Sequence, residues 1–216
     1  MKSGVLLLTL ALFCGTILYT EGCSCMPSHP QEQFCKSDFV ILARVKRERI
    51  FNQTFSKVYK VRVRKEFKVS EKGVLALKSG RLNTPMYDSM CGVQLELGKL
   101  YVISGRIFSL RAHVNMCGMI MPWESLTRRQ RKGLRLLYGH GCSCGIQHCV
   151  PGRRCHHQRD SCNWRSHCEE KEGICLRQPK ACVWARTQAL SKCTKDWRRT
   201  MKLNPYHRYS KPIFDP

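Results

Sequence analysis

Residues 23–41 read CSCMPSHPQEQFCKSDFVI, in which two cysteines separated by one serine lead into an apolar segment. Residues 1–22, in front of it, have the features of a secretory signal, with Lys2 at the charged start, an apolar centre and small residues before the cleavage point. The apolar run is too short and wrongly flanked to cross a bilayer, so we expect no membrane span. Cleavage after Gly22 would leave Cys23 as the first residue of a secreted protein.

A cysteine at a mature N-terminus has two interpretations. Cleavage frees the α-amino group of Cys23, and a neutral amine beside its own carbonyl oxygen forms a five-membered chelate with zinc. Such a terminus can cap a metal ion that another protein holds. The alternative from spacing alone is that Cys23 and Cys25 only staple a strand and that the terminus contacts nothing.

The cysteine count and the charge both indicate an extracellular protein. The chain has 15 cysteines, and loss of Cys14 with the signal leaves an even number, which is typical of a disulfide framework in an oxidising compartment. The net charge of +23 favours anionic partners. For a secreted chain retained in the extracellular matrix, we expect these partners to be sulfated glycosaminoglycans and not nucleic acid.

Apolar alternation predicts several short strands. In the second of them Tyr59, Val61 and Val63 alternate with basic residues, which gives the strand a basic outer face. Five or six such strands favour a barrel or a sandwich. A helix is predicted from Ser125, its N-cap, to Tyr138. The predicted strands are residues 39–45, 58–69, 74–77, 93–97, 100–107 and 110–117.

The distribution of cysteines predicts two domains that meet near Ser143. Six cysteines are spread over residues 23–142, whereas eight lie within residues 144–193. Residues 23–142 contain all the predicted strands and form the first domain. Residues 143–216 have little apolar sequence and end in a basic tail, so disulfides should stabilise this second domain in place of a large core.

Several segments together are similar to the tissue inhibitors of metalloproteinases. The resemblance implies a mainly β fold with flanking helices: an N-terminal five-stranded OB-like barrel of the netrin-like type and a small disulfide-rich C-terminal domain. It also implies a function, inhibition of zinc metalloendopeptidases, namely matrix metalloproteinases and related disintegrin metalloproteases. The matching segments are residues 23–41, Asp88-Ser89-Met90-Cys91-Gly92, residues 98–105, Trp123 with Leu126, Gly133-Leu134, Tyr138, Gly141-Cys142-Ser143-Cys144 and Cys182-Val183-Trp184.

The resemblance also implies a disulfide pairing. Cys168 and Cys193 depart from the family's usual pattern of cysteines, and we pair them with each other. The implied pairs are Cys23 with Cys91, Cys25 with Cys117, Cys35 with Cys142, Cys144 with Cys182, Cys149 with Cys155 and Cys162 with Cys175.

In the family, the N-terminal segment lies in the substrate cleft of the protease, and the amine and carbonyl of the first residue ligate the catalytic zinc. The resemblance thus implies that Cys23 binds zinc and that Ser24 enters the pocket beyond the scissile bond. The zinc comes from the protease, so we expect no intrinsic cofactor, and a monomer that forms 1:1 complexes. The sequence has no His-Glu-x-x-His motif and no convincing acid–base pair, which argues against an enzyme. The predicted protease-binding residues are Cys23, Ser24, Cys25, Met26, Pro27, Ser89, Met90 and Cys91.

Two further features bear on function. Asn52-Gln53-Thr54 is an N-glycosylation sequon. Residues 128–132, RRQRK, fit a convertase site, a glycosaminoglycan patch or the solvated side of a helix. The alternative function is a netrin-like matrix module that binds glycosaminoglycans without inhibiting a protease. The predicted polyanion-binding residues are Lys57, Lys60, Arg62, Arg64, Lys65 and Lys68, taken to share one strand face.

Overall fold

A computed structural model describes residues 22–150, 154–156 and 158–203. The predicted signal up to residue 21 and the end of the basic tail, residues 204–216, lie outside the described residues. The strands of the first sheet are β1 (Phe39–Phe51), β2 (Ser56–Val69), β3 (Arg81–Pro85), β4 (Leu100–Phe108), β5 (Arg111–His113) and β6 (Ile120–Pro122).

The sheet closes into a five-stranded barrel because β1 pairs with both β2 and β4. Around the barrel the strand order is β1-β2-β3-β5-β4, and the short β6 extends the sheet beyond β4. The β3–β5 pair is parallel and the other pairs are antiparallel. The prediction of a mainly β fold with a five-stranded N-terminal barrel is confirmed.

Strand β1 forms a wall between two hydrophobic clusters. Phe39 and Ile41 point into the barrel and are fully buried. Val40 and Leu42 point to the opposite side and are buried in a second cluster beneath the helices outside the barrel. A strand covered on both faces needs an unbroken apolar run, which is what residues 39–43 supply.

The described residues form five α-helices, none of which has the length and apolar character needed to cross a bilayer. The third continues directly into a π-helical turn, Gly133–Leu137. The helices are α1 (Pro30–Lys36), α2 (Glu71–Lys78), α3 (Arg128–Lys132), α4 (His167–Glu172) and α5 (Gln188–Leu203).

The strand predicted over residues 74–77 is wrong, because these residues lie in α2. The Ser70 hydroxyl caps this helix by accepting a hydrogen bond from the backbone N–H of Gly73, and Glu71 places a negative charge in the first turn. Ala76 and Leu77 are buried with Gly73, which is helical and not alternating spacing. The short apolar run suggested a strand, although Ser70 and Glu71 in front of it are typical of the start of a helix.

The strand predicted over residues 93–97 is also wrong. Val93 and Leu95 alternate into the core, but their backbone N–H groups donate to side chains, the Thr84 hydroxyl at 3.0 Å and the Tyr59 hydroxyl at 3.1 Å. Side chains therefore replace the neighbouring strand that a ladder would need. The strand predicted over residues 110–117 shrinks to β5, because Leu110 has a left-handed backbone with φ 57°.

The predicted helix over residues 125–138 exists but begins later. Thr127, and not Ser125, is the N-cap, and it forms a capping box with Gln130 in which each side chain bonds the backbone of the other. An added Cβ at Gly133 would lie 2.5 Å from the Tyr138 ring. The glycine therefore allows this aromatic ring to pack against the helix.

Among the described residues, the C-terminal part of the chain contains two small sheets. Half-cystines at Cys162, Cys175 and Cys182 form a buried cluster there. This cluster is small, as the composition predicts. The strands are β7 (Gly145–His148), which runs parallel to β8 (Ser161–Trp164), and β9 (Cys175–Arg177), which is antiparallel to β10 (Cys182–Trp184).

Gln31 in α1 ties this C-terminal part to the barrel. Its side-chain amide donates to the carbonyl of Cys175 at 2.7 Å, and its amide oxygen accepts from the Cys175 N–H at 2.8 Å. Ile174 is buried in the cluster outside the barrel. At Gly141 an added Cβ would lie 2.1 Å from the Cys175 carbonyl oxygen, so the two segments are in close contact. The division into two domains near Ser143 stays a prediction.

Seven disulfides join cysteines of the described residues. They include a bridge between α4 and α5, formed by the two cysteines that depart from the usual family pattern. The pairs are Cys23–Cys91, Cys25–Cys117, Cys35–Cys142, Cys144–Cys182, Cys149–Cys155, Cys162–Cys175 and Cys168–Cys193.

Candidate functional site

The segment before α1 has no regular secondary structure and is fixed to the barrel by two adjacent disulfides. Cys23 is bonded to Cys91, which follows a short 3-10 turn, and Cys25 is bonded to Cys117. The two bridges are side by side, since the Sγ of Cys117 lies 4.0 Å from the Sγ of Cys23 and 4.0 Å from that of Cys91. We call residues 23–27 together with residues 88–91 the N-terminal edge.

The N-terminal edge is exposed although its attachment is firm. The side chains from Ser24 to Pro27 are all open to solvent, and Met26 is 90% exposed. Across the disulfide, Ser89 and Met90 are exposed as well. Exposed apolar side chains on a covalently fixed backbone suit contact with another protein.

The turn on the other side of the edge is held by its own backbone. The carbonyl oxygen of Tyr87 accepts hydrogen bonds from the N–H groups of Met90 and Gly92, and Asp88 accepts from Cys91. Cys91 itself has a left-handed backbone with φ 62°. An added Cβ at Gly92 would lie 2.4 Å from the Pro85 carbonyl oxygen, so the turn packs directly on the end of β3. Both halves of the edge are therefore preorganised.

His29 anchors the point at which the edge meets α1. Its Nδ1 accepts from the N–H of Gln31 at 3.1 Å, so the ring proton is on Nε2 and is donated to the carbonyl of Glu169 at 2.9 Å. The ring is buried between Trp164 and Trp184. Burial lowers the pKa of His29 to about 4, so the imidazole is neutral at physiological pH. Sequence analysis did not identify this residue, because its partners are far away in the chain.

The comparison with known proteins agrees with this geometry. A family model described as tissue inhibitor of metalloproteinase matches residues 21–194. The chain belongs to the tissue inhibitor of metalloproteinase family. It is therefore a protease inhibitor and not an enzyme, as predicted.

Three curated relatives of this inhibitor show how far the similarity extends. The tissue inhibitor of metalloproteinase of Drosophila melanogaster is 34% identical over 203 residues, which cover 87% of this chain and 94% of that protein. Metalloproteinase inhibitor 3 of Scyliorhinus torazame is 33% identical over 182 residues, covering 79% and 84%. Metalloproteinase inhibitor 2 of Homo sapiens is 31% identical over 205 residues, covering 85% and 90%. The similarity thus includes both the barrel and the C-terminal part of the inhibitor.

All eight residues predicted to bind a protease lie on the N-terminal edge of the inhibitor. The disulfide of Cys23 and Cys91 brings the two groups together, although they are far apart in sequence. The sulfurs of Cys23, Cys25 and Cys117 are close enough to share a metal ion, but all three are in disulfides and do not offer thiolates. The chemistry available at this edge is therefore that of the main chain and not of sulfur.

Two features beside the edge were missed from the sequence. The rings of Phe55 and Tyr87 lie 6.3 Å apart and are exposed, so the tip of the β1–β2 hairpin extends the edge with aromatic surface. A cavity of about 610 Å³ lies next to Met90 and is lined in part by Phe108 and His113. Residues from separate strands and loops come together here. The pattern of alternation within one strand does not predict contacts between separate segments.

The predicted polyanion-binding residues do not share one surface. Lys57 does not belong to an exposed basic face, contrary to the prediction. It is only 4% exposed, and its Nζ bonds Glu48 at 3.0 Å and the Gln94 side chain at 2.6 Å. Lys57 lies on the same strand face as the buried Tyr59, since odd positions of β2 point inward here. Lys68 donates to the carbonyls at the C-terminal end of α1, a common role for a lysine at a helix end.

The remaining four, Lys60, Arg62, Arg64 and Lys65, are exposed. Asn52 of the sequon is exposed in the 3-10 turn at the tip of the β1–β2 hairpin, where a glycan has room. Whether that asparagine carries a glycan stays a prediction.

Proposed function

We propose that this inhibitor blocks zinc metalloendopeptidases, among them matrix metalloproteinases and related disintegrin metalloproteases, by ligating their catalytic zinc with the α-amine and carbonyl oxygen of Cys23. The observation that supports this most directly is the N-terminal edge itself. Two adjacent disulfides fix an exposed segment whose first cysteine stands where signal cleavage is predicted. The metal belongs to the protease, and the inhibitor contributes only main-chain donors.

The chemistry needs a protease with an open metal position. A catalytic zinc has three protein ligands and one exchangeable site, at which the attacking water is activated. The Cys23 amine and carbonyl oxygen would displace that water from the zinc, and no peptide bond is broken. Ser24 follows directly and would enter the pocket beyond the scissile bond, where its size and polarity tune the choice of protease.

Preorganisation explains why such a segment inhibits and is not processed as a substrate. A flexible peptide loses conformational entropy when it is ordered in a cleft, whereas residues 23–27 are already held by their bridges. The rest of the edge, Met90 with the turn before it, is held by hydrogen bonds to Tyr87. We expect the inhibitor to act as a secreted monomer in 1:1 complexes in the extracellular space.

The decisive experiment extends the mature N-terminus by one alanine before Cys23. The α-amine is then displaced and Cys23 keeps only an amide nitrogen, which is a poor zinc ligand. We expect at least about a hundredfold weaker inhibition, because changes outside the ligand shell of a zinc site already cost 10- to 100-fold. The control carries the same alanine after Pro216, and its inhibition should equal that of the unmodified protein.

Thermal unfolding and a disulfide map of both variants test whether the fold is intact. Unchanged inhibition by a folded, N-terminally extended protein would show that chelation by the amine is the wrong mechanism. Equal losses in both variants would also contradict it, since an alanine added after Pro216 leaves the Cys23 amine free.

A further inference from the structure

The disulfide between Cys168 and Cys193 ties the last helix to the rest of the molecule. Cys168 lies in α4 and Cys193 in α5, and α5 packs against α4. Within the described residues, the hydrogen bonds and ion pairs of α5 are made inside the helix or with Thr187 just before it, apart from a contact between Cys193 and His167. We call His167, Cys168 and Cys193 the tether site.

The sequence of α5 gives the helix little stability of its own. It has 16 residues, and isolated helices shorter than about 12–15 residues are marginal in water even when they are rich in alanine. α5 contains one alanine, and its interior includes Thr194, Asp196 and Thr200, which have lower helix propensity. Loss of the bridge to α4 should therefore loosen this helix.

The two sulfurs of the bridge differ in their access to solvent. Cys168 is 0% exposed, whereas Cys193 is partly exposed. In thiol–disulfide exchange a thiolate attacks one sulfur of a disulfide, and the other sulfur leaves as a thiolate. An external thiolate can therefore reach the Sγ of Cys193, and the Sγ of Cys168 is then the leaving group.

His167 lies beside both sulfurs and is itself exposed. Its Nε2 is 3.7 Å from the Sγ of Cys168 and 3.7 Å from the Sγ of Cys193. A protonated imidazole at this position stabilises a thiolate. Within the described part of the chain His167 forms no ion pair. The nearby Glu169 carboxylate accepts hydrogen bonds from the hydroxyl and the backbone N–H of Ser166 instead.

The imidazole distinguishes this bridge from the other six. Cys25 and Cys142 are exposed as well, so access to solvent alone does not select one disulfide. Among the described residues, however, no imidazole contacts the sulfur of any other bridge. The tether site therefore combines an accessible sulfur with a group that can assist the departure of its partner.

We propose that Cys193 is a modification site, at which a small thiol of the glutathione class opens the bridge by exchange and frees α5. The thiolate attacks the Sγ of Cys193, a new S–S bond forms, and the bond to Cys168 breaks. The electron pair of the broken bond stays on the Sγ of Cys168, which takes a proton from the imidazolium of His167. The proton that the incoming thiol has lost restores the imidazolium through water.

The products are a mixed disulfide at Cys193 and a thiol at Cys168. One S–S bond replaces another, so the step consumes no oxidant and no reductant. α5 then keeps only its packing against α4. No residue of the N-terminal edge takes part, and the proposal does not depend on how a protease is inhibited.

The first test incubates the full secreted protein with reduced glutathione at neutral pH without denaturant. Free thiols are then alkylated, and peptide mass spectrometry locates the glutathione and the alkyl group. We expect glutathione on Cys193 and alkylation of Cys168 before any of the other six bridges opens.

A pair of matched variants tests the role of the imidazole. His167→Gln changes an exposed side chain, and we expect the bridge to open at least about tenfold more slowly, because a positioned proton donor contributes roughly 10²–10⁴-fold and water replaces it in part. The control is His140→Gln, which makes the same change at another exposed histidine, two residues before Cys142. The control should open the tether site at the unmodified rate. A disulfide map and thermal unfolding of both variants check that the fold is intact.

Hydrogen exchange measured by mass spectrometry tests the release of α5. The amides of residues 188–203 should exchange at least about tenfold faster in the glutathione-modified protein than in the unmodified protein. A variant with Cys168→Ser and Cys193→Ser should show the same increase without any added thiol. The amides of β1 should keep their rate in both cases.

Several results would overturn the proposal. Earlier opening of another bridge, or glutathione on Cys168, would show that access and the imidazole do not direct the exchange. Equal rates for His167→Gln and His140→Gln would exclude the imidazole. Unchanged exchange of the α5 amides after opening would show that packing, and not the bridge, holds the helix. None of these measurements involves a protease, so failure of the zinc-ligation proposal would leave them unchanged.

Discussion

Substitution of Gln31 by methionine should weaken the contact between α1 and the C-terminal part of the inhibitor. The loss in the free energy of unfolding can be estimated from the hydrogen bonds that are removed. Methionine keeps the length and the helix propensity of glutamine but removes both hydrogen bonds to Cys175. The N–H and the carbonyl of Cys175 would then be buried without these partners. Each unsatisfied group costs about 1–3 kcal/mol, so for the two groups we expect the free energy of unfolding to fall by roughly 2–6 kcal/mol.

Urea unfolding, followed by near-ultraviolet circular dichroism, measures this loss. The control is Glu32→Gln in the same helix. The Glu32 carboxylate forms a partly exposed pair with Lys36 worth about 0.3–0.5 kcal/mol, and its hydrogen bond from the Ser28 hydroxyl can be accepted by the glutamine oxygen as well. A Gln31→Met protein as stable as this control would refute the reasoning, since the two hydrogen bonds would then contribute nothing to the junction.

Three further outcomes are expected. Burial lowers the pKa of His29 to about 4, whereas the same histidine in the unfolded chain binds a proton near pH 6.5. As the pH falls from about 6.5 to 4, the unfolded state is therefore stabilised by a proton that the folded state does not bind. The free energy of unfolding should fall by up to about 3 kcal/mol over this range. A His29→Asn protein, which keeps an N-cap that does not titrate, should lack that part of the pH dependence in unfolding experiments. Gly133→Ala should destabilise the folded protein by about 1–3 kcal/mol, because the added methyl group clashes with Tyr138. Gly139→Ala is the control and should cost far less, since the nearest atom to an added Cβ there is 4.0 Å away. Equal shifts of the two variants in a thermal melt would contradict this. Inhibition should weaken below neutral pH, because the Cys23 amine, with a reference pKa of ~7.7–8.0, must be neutral to bind zinc; inhibition constants that stay flat from about pH 8 to 6, after correction for the protease, would exclude the amine.

Sequence alone was sufficient for the strands that alternate or are wholly apolar. Residues 39–45 and 58–69 lie in β1 and β2, and residues 100–107 lie in β4. Closure of the barrel was not visible from their pattern, because it depends on β1 pairing on both sides. Where side chains satisfied the backbone, as at Val93, the pattern of burial predicted a strand that does not form.

The two predicted binding surfaces differ in how far the sequence reveals them. The N-terminal edge was predictable because a resemblance in residues 23–41 and 88–92 supplied the link between distant segments. The predicted polyanion-binding face does not form as one surface, since Lys57 is buried on the side of Tyr59 and Lys68 bonds the end of α1. Irregularities in the β1–β2 register, such as the shift between Val45 and Arg47, also change which residues share a face.

The double coverage of β1 has a consequence for how the inhibitor opens. Val40 and Ile41 are adjacent, yet they belong to different clusters, so neither cluster can come apart while the other keeps that strand in place. Amide protons in the middle of β1 should therefore exchange with deuterium only through global unfolding, at the slowest rate in the molecule. The barrel and the helix layer over it should unfold in one cooperative transition. Proteolytic cleavage within the barrel should therefore require unfolding of the whole unit.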